Sequence, residues 1–203
     1  MVVPIPGRHN VENAKLAVRM AVALGVEERA AVEAMASFRG VERRLQKVGS
    51  FKVALDEAGA SREVTVYDDY AHNPEKIKAM WTTLAEKHPE GICVIWRPHG
   101  YAPLRKMMDA LAAMFAETVR SCDKLLLLPV YDAGGTTDRS VNSDELLRRI
   151  QTIQQSNNQT IQVADLDAAY DWCAAHKGDY AAFVTCGARD PGLPVLAKRL
   201  SEM

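Results

Sequence analysis

Val64-Thr65-Val66-Tyr67, then Asp68-Asp69-Tyr70-Ala71-His72-Asn73-Pro74, then the run Glu75–Lys87 decide how the chain folds. A short β-branched and aromatic run predicts a strand. Asn73 before Pro74 predicts a helix start, with Asn73 as N-cap and Pro74 in the first turn. The same unit recurs downstream. Ile92–Trp96 precedes Leu104–Glu117, and Lys124–Leu128 precedes Ser143–Ile150. Ile161–Val163 then precedes Leu166–His176, and Ala181–Thr185 precedes Pro191–Leu200. In the segment 104–117, Leu104, Met107, Met108, Leu111 and Phe115 fall on one helical stripe, as packing onto a sheet requires. Short apolar strands alternating with amphipathic helices predict βαβ crossovers, hence an α/β fold with a mostly parallel sheet and flanking helices over 41–203. Between Gln46 and Val66 two extended pieces predict a hairpin, with Gly59 in its turn.

Toward the N-terminus the texture differs. Residues 10–38 read as two helices. Asn10 is a candidate N-cap, and Ala14, Ala17, Val18, Ala21 and Leu24 recur at helical spacing. Gly25 is placed to end the first helix in a left-handed conformation, and a second runs from about Glu27 to Ser37. The only accompanying strand is a short one at Val2–Ile5. Two helices and one strand do not enclose a core. Residues 1–40 are therefore expected to be the end of a neighbouring domain, a small helical remnant before the sheet domain of 41–203.

Composition narrows the function classes. Of 203 residues, 48% are apolar and 25% charged, the balance of an ordinary globular protein. With 25 basic against 26 acidic side chains and no basic run, nucleic acid is not an expected partner. No apolar run approaches the ~20 residues of a membrane helix, and no signal-peptide pattern opens the chain. Cys93, Cys122, Cys173 and Cys186 are far apart, which predicts reduced structural thiols, no metal site and a cytoplasmic setting.

In a parallel sheet, ligands gather at the carboxyl ends of the strands. That rule selects Asp68–Pro74, Arg97–Arg105, Tyr131–Arg139 and Gly187–Gly192. A helix start accounts for Asn73 and Pro74 but leaves Asp69 and His72 without a structural task. Two adjacent carboxylates repel unless solvated, paired or bound to a cation. Arg43-Arg44 reads either as an exposed pair or as a clamp on phosphate oxygens. Asn10 and Asn13 sit three apart, where two amides can read a purine edge or merely cap a helix. Pro98-His99-Gly100-Tyr101, with Arg105 a turn further on, suits an anion at a helix start or a plain turn. No Gly-rich phosphate loop, dinucleotide fingerprint or nucleophile elbow is present.

Taken together, these segments resemble the C-terminal part of the Mur ligases, ATP-dependent amide ligases of peptidoglycan precursor synthesis. The residues that carry the resemblance are Gly7-Arg8-His9-Asn10 with Asn13, Gly40-Val41-Glu42-Arg43-Arg44, and Asp68 through Pro74. Pro98-His99-Gly100-Tyr101 and Val130-Tyr131-Asp132-Ala133-Gly134 add to it. Their order is most similar to the UDP-N-acetylmuramate–L-alanine ligase branch, although Gly100 and Pro103 stand where that branch usually carries arginines.

The resemblance implies a Rossmann-like domain that closes over a central ATP-binding domain, with 1–40 as the tail of the latter. It implies ATP and Mg2+ as cofactors, the metal ligands lying in the central domain. The partners it implies are a UDP-sugar substrate, an incoming amino acid or peptide, and the N-terminal and central domains absent from this chain. Carboxylate attack on the γ-phosphate would give an acyl phosphate that an amine displaces. His9, Asn10, Asn13, Asp69, His72 and Asn73 would hold the nucleotide, Arg44 would be the catalytic cation on the phosphates, and His99, Tyr101 and Arg105 would face the amine substrate. The chain alone is expected to be inactive. The competing class is a non-catalytic nucleotide- or ligand-binding α/β module, which the missing phosphate loop favours. Asp69 and Arg44 have no partner in the core pattern, so Asp69→Asn is expected to change folding stability by no more than about 0.5 kcal/mol.

Overall fold

The computed structural model describes residues 8–38, 40–54, 59–154 and 159–203, the side chains of Arg8 and His9 excepted. The strand expected at Val2–Ile5 lies outside the described residues. Two helices come first, α1 (Arg8–Ala23) and α2 (Glu28–Ser37). Helix α1 begins before Asn10, so Asn10 is an interior residue and not the cap. Gly25 ends α1 as expected. Its φ of 90° lets Gly25 N–H reach Val22 O at 2.9 Å while Val26 N–H reaches Ala21 O at 3.0 Å. The Glu27 carboxylate accepts from Ala30 N–H and caps α2.

Next come β1 (Gln46–Ala54) and β2 (Ser61–Asp69), which pair antiparallel as the expected hairpin, with Gly59 at φ 93° beside its turn. Residues 55–58 are outside the described part. The alternation then runs α3 (Pro74–Lys87), β3 (Ile92–Trp96), α4 (Tyr101–Thr118), β4 (Lys124–Leu127), α5 (Ser143–Gln154), β5 (Thr160–Gln162), α6 (Leu166–Ala175), β6 (Ala182–Cys186) and α7 (Gly192–Ser201). Asn73 Oδ1 accepts from Lys76 N–H at 3.0 Å, and Pro74 opens α3 without a missing bond. Helix α4 starts three residues earlier than its apolar stripe suggests. Pro103 is tolerated there because N–H groups of the first turn have no intrahelical partner. Helix α5 likewise runs to Gln154, past the expected end at Ile150.

The sheet order is β1-β2-β6-β3-β4-β5, with every pair parallel except β1–β2. Successive residues of β3 serve opposite faces. Ile92, Val94 and Trp96 pack with residues of α3, α4 and α5, including Ile77, Trp81, Leu111, Phe115 and Ile150. Cys93 and Ile95 pack on the other face with Cys173 of α6 and Leu193, Leu196 and Leu200 of α7. The result is helix–sheet–helix with two cores, and β3 is fully buried. The final strand, β6, enters the middle of the sheet between β2 and β3. Gly187, just after β6, has φ 145°, and a Cβ there would lie 2.8 Å from Arg97 O. Only glycine lets β6 and the end of β3 approach this closely.

Candidate functional site

The loops selected by the strand-end rule meet at one edge. Gly187 N–H donates to Asp69 O (3.1 Å), Arg97 N–H to Cys186 O (3.1 Å), and Tyr131 N–H to Pro98 O (2.8 Å). Arg97 ties the later loops together, since its guanidinium pairs with Asp190 at 2.7 Å and donates to Pro129 O at 3.0 Å.

The tandem aspartates finish β2 rather than starting the loop, and both are buried. Asp68 Oδ1 accepts the Thr185 hydroxyl at 2.6 Å, and Oδ2 accepts from Arg43 Nε at 2.8 Å. Asp69 Oδ2 accepts from Leu45 N–H and Oδ1 from Ala71 N–H, both at 2.7 Å. The expectation that Asp69 lacks a partner is therefore corrected. Burial raises its carboxyl pKa, an effect that exceeds the lowering by the two backbone donors and by Arg44.

These bonds converge on a strained turn. Arg43 and Leu45 are left-handed non-glycine residues, with φ of 57° and 46°. Arg43 N–H donates to Gln46 Oε1 (2.9 Å), Arg43 O accepts from Tyr70 N–H (2.7 Å), and Arg43 Nη2 donates to Gly187 O (2.7 Å). Arg43 N–H, Arg43 O and Leu45 N–H thus anchor the backbone on either side of Arg44, and the Arg43 guanidinium adds bonds to Asp68 and Gly187. Its own guanidinium is 5.9 Å from the centroid of the Tyr70 ring. The adjacent arginines have separate work: Arg43 is committed to the scaffold, and Arg44 reaches a cavity.

That cavity, of about 680 Å³, lies between the two N-terminal helices and the start of the sheet domain. Asn10, Asn13, Arg44 and Asp69 line it, although they come from three separated segments. Ala14, Ala17, Met35, Phe38 and Val41 supply apolar wall, and Lys76 supplies a second cation. An apolar slot with two amides and two cations suits a flat polar heterocycle carrying an anionic tail. The sequence reading passes over Lys76 and gives Arg43 and Asp68 no task apart from those of Arg44 and Asp69. Arg43-Arg44 contains the signal for the pair, but only the turn geometry shows which arginine faces inward.

The remaining candidates lie elsewhere. His9 has its side chain outside the described part. The Asn73 amide caps α3, and neither Asn73 nor His72 lines the cavity. His72 instead meets His99 edge-on, with ring centroids 4.9 Å apart, and shares a contact with Tyr70 at 5.7 Å. Burial, then the neighbouring charges of His72 and Arg189, lowers the His99 pKa to about 4. Tyr101 lies in the first turn of α4 with the Arg139 guanidinium 5.8 Å from its centroid. Arg105 pairs with Asp138 at 2.7 Å and also donates to Ser140 Oγ. These two contacts staple the 131–140 loop to α4. Among the described residues no group of three or more His, Cys, Asp or Glu could hold a metal ion, and no helix is long and apolar enough to cross a membrane. All four cysteines are free, with Cys122 alone exposed.

The sheet order, the converging loops and the cavity beside them define an α/β domain with a mostly parallel sheet and an N-terminal helical pair. The family model described as "Mur ligase, glutamate ligase domain" matches residues 43–189, and the chain belongs to the Mur ligase family. A UDP-N-acetylmuramate–L-alanine ligase from Sinorhizobium fredii is 32% identical over 200 residues, covering 98% of this chain and 40% of the relative. Its counterpart from Caldicellulosiruptor bescii is 32% identical over 195 residues, covering 96% and 40%. The chain therefore spans about 40% of the length of the curated relatives it matches. Among solved structures, a UDP-N-acetylmuramate–alanine ligase from Thermotoga maritima superposes with a TM-score of 0.68 at 23% identity, covering 98% of this chain and 38% of that one. A murein peptide ligase from Psychrobacter arcticus gives 0.62 at 20% identity, covering 99% and 38%. At these identities the superpositions establish the fold.

Proposed function

We propose that this chain is the C-terminal part of an ATP-dependent amide ligase of peptidoglycan precursor metabolism, working in the cytoplasm. In this reading residues 1–40 are the end of the central ATP-binding domain and 41–203 form the C-terminal domain that closes over it. The observation that carries the reading is the cavity, which gathers Asn10, Asn13, Arg44 and Asp69 from motifs far apart in sequence. Names of the relatives support a UDP-N-acetylmuramate substrate and L-alanine as the amine, with a peptide amine as the variant.

The residues present fit a nucleotide. The apolar wall takes the base, and Asn10 and Asn13 offer donors and acceptors to its edge. Asp69 borders the ribose position while holding Leu45 N–H, and Arg44 meets phosphate oxygens. ATP supplies a transferable phosphoryl group that activates a carboxylate toward an amine. This chain contributes positioning and charge neutralisation, which dominate catalysis of phosphoryl transfer. Among the described residues no group of three or more His, Cys, Asp or Glu gathers for a metal, and in this reading the Mg2+ ligands belong to the central domain. His72, His99 and Tyr101 border the amine substrate, and Arg105 acts on it through the loop it staples.

The test is phosphate release from ATP, with UDP-N-acetylmuramate and L-alanine, by the full polypeptide that carries this chain. Arg44→Ala is expected to lower turnover about tenfold or more, and Arg44→Lys to restore it only in part, since an ammonium lacks the forked geometry. Unchanged turnover in Arg44→Ala would remove the assignment. Nucleotide binding without turnover by that polypeptide would favour a binding module instead.

A further inference from the structure

A nucleotide tail carries several negative charges, and one guanidinium leaves most of them uncompensated. We propose that Lys76 is the second cation of the cavity and binds the polyphosphate of the nucleotide alongside Arg44. The inference rests on the nucleotide reading of that cavity.

Lys76 lines the same cavity as Arg44. Its backbone is fixed: its own N–H is the donor capped by Asn73, Pro74 opens the helix, and Ile77 and Met80 are anchored in the core. Its side chain is exposed and enters no ion pair among the described residues. Neighbouring lysines behave otherwise. Lys78 pairs with Glu117 at 2.8 Å, and Lys47 lies 3.7 Å from Glu63. The single carboxylate on the lining, Asp69, is 5% exposed and has both oxygens on backbone donors, so it does not draw the ammonium away. The lining therefore presents two cations against one carboxylate already engaged. A rigid fork at Arg44 beside a mobile point charge at Lys76 is a division suited to a polyphosphate, whose oxygens are spread along a chain.

The test compares adenosine with ADP, titrated into the full polypeptide that carries this chain and followed by calorimetry. Lys76→Ala is expected to weaken ADP about tenfold, as for loss of one charge-assisted hydrogen bond, and to leave adenosine unchanged. Lys78→Ala is the control and should alter neither ligand. Raising salt should weaken ADP less in Lys76→Ala than in the parent. An unchanged ADP affinity in Lys76→Ala, or equal weakening of ADP and adenosine, would overturn the inference while leaving the cavity as a nucleotide site. Failure of Asn13→Ala to weaken adenosine, or no binding of either ligand by the parent, would overturn the nucleotide reading and this inference with it.

Discussion

Asp69 carries two loads at the scale of the single residue. Its carboxylate accepts the N–H of Leu45, a left-handed residue next to Arg44, and also the N–H of Ala71. An asparagine in its place keeps one acceptor oxygen and turns an NH2 group toward the other donor. One buried N–H is then left unpaired, which costs about 1–3 kcal/mol. Asp69→Asn is accordingly expected to destabilise the chain by that amount in urea melts, more than the surface-like 0.5 kcal/mol its sequence context suggests. A change within experimental error would show that the turn around Arg44 holds without it. The left-handed turn was hidden in the sequence because neither Arg43 nor Leu45 is a glycine. Such strain is visible only when the bonds that impose it are seen.

Among the elements, the junction of α3, β3 and β4 depends on one carboxylate. Asp123, just before β4, accepts from Trp81 Nε1 at 2.8 Å, from Ile92 N–H at 3.0 Å and from the Arg120 guanidinium at 2.7 Å. Burial opposes its ionisation, but these donors together hold its pKa below the usual carboxylate range. Arg120 in turn donates to Ala85 O and His88 O, tying the end of α3 to the same point. Asp123→Ala would strand an indole N–H, a backbone N–H and a partly buried guanidinium. We expect a loss of about 3–5 kcal/mol in denaturant unfolding, and a much smaller loss for Trp81→Phe, which removes one donor and leaves the rest paired. Equal losses would show that packing, not the carboxylate, governs the junction. The helices and strands meeting here were legible from apolar periodicity. The clasp was not, because Trp81 and Ile92 lie far along the chain from Asp123 and only the fold brings them to it.

For the molecule as a whole, insertion of β6 between β2 and β3 brings the 187–192 loop against the loops after both strands. His72 and His99 meet there, with Arg189 adding positive charge. The His99 imidazole titrates near 4 in the native state against 6.5 for the free group. Between those values the unfolded chain takes up a proton that the native one does not. Stability should therefore fall as pH drops from 6.5 toward 4. Asp69 acts with the opposite sign, because its raised pKa lets the native state take up a proton first. The decisive measurement is thus the difference between parent and His99→Gln. The variant should lose less melting temperature between pH 7 and pH 5, and equal losses would place the pH response elsewhere.

The sequence by itself determined the alternation of strands and helices, the antiparallel hairpin, the capped start of α3 and the four loops at one sheet edge. These follow from local information: apolar period, capping residues and turn chemistry act over a few neighbours. Tertiary structure alone decided the strand order, the burial of both aspartates, the separate duties of Arg43 and Arg44, and the split of the candidates between a cavity and a histidine pair. Each of these is a contact between distant segments, such as Arg43 with Gly187 or Asp69 with Leu45. Such pairings depend on which surfaces meet when the sheet closes on β6, and residue spacing along the chain carries no record of that.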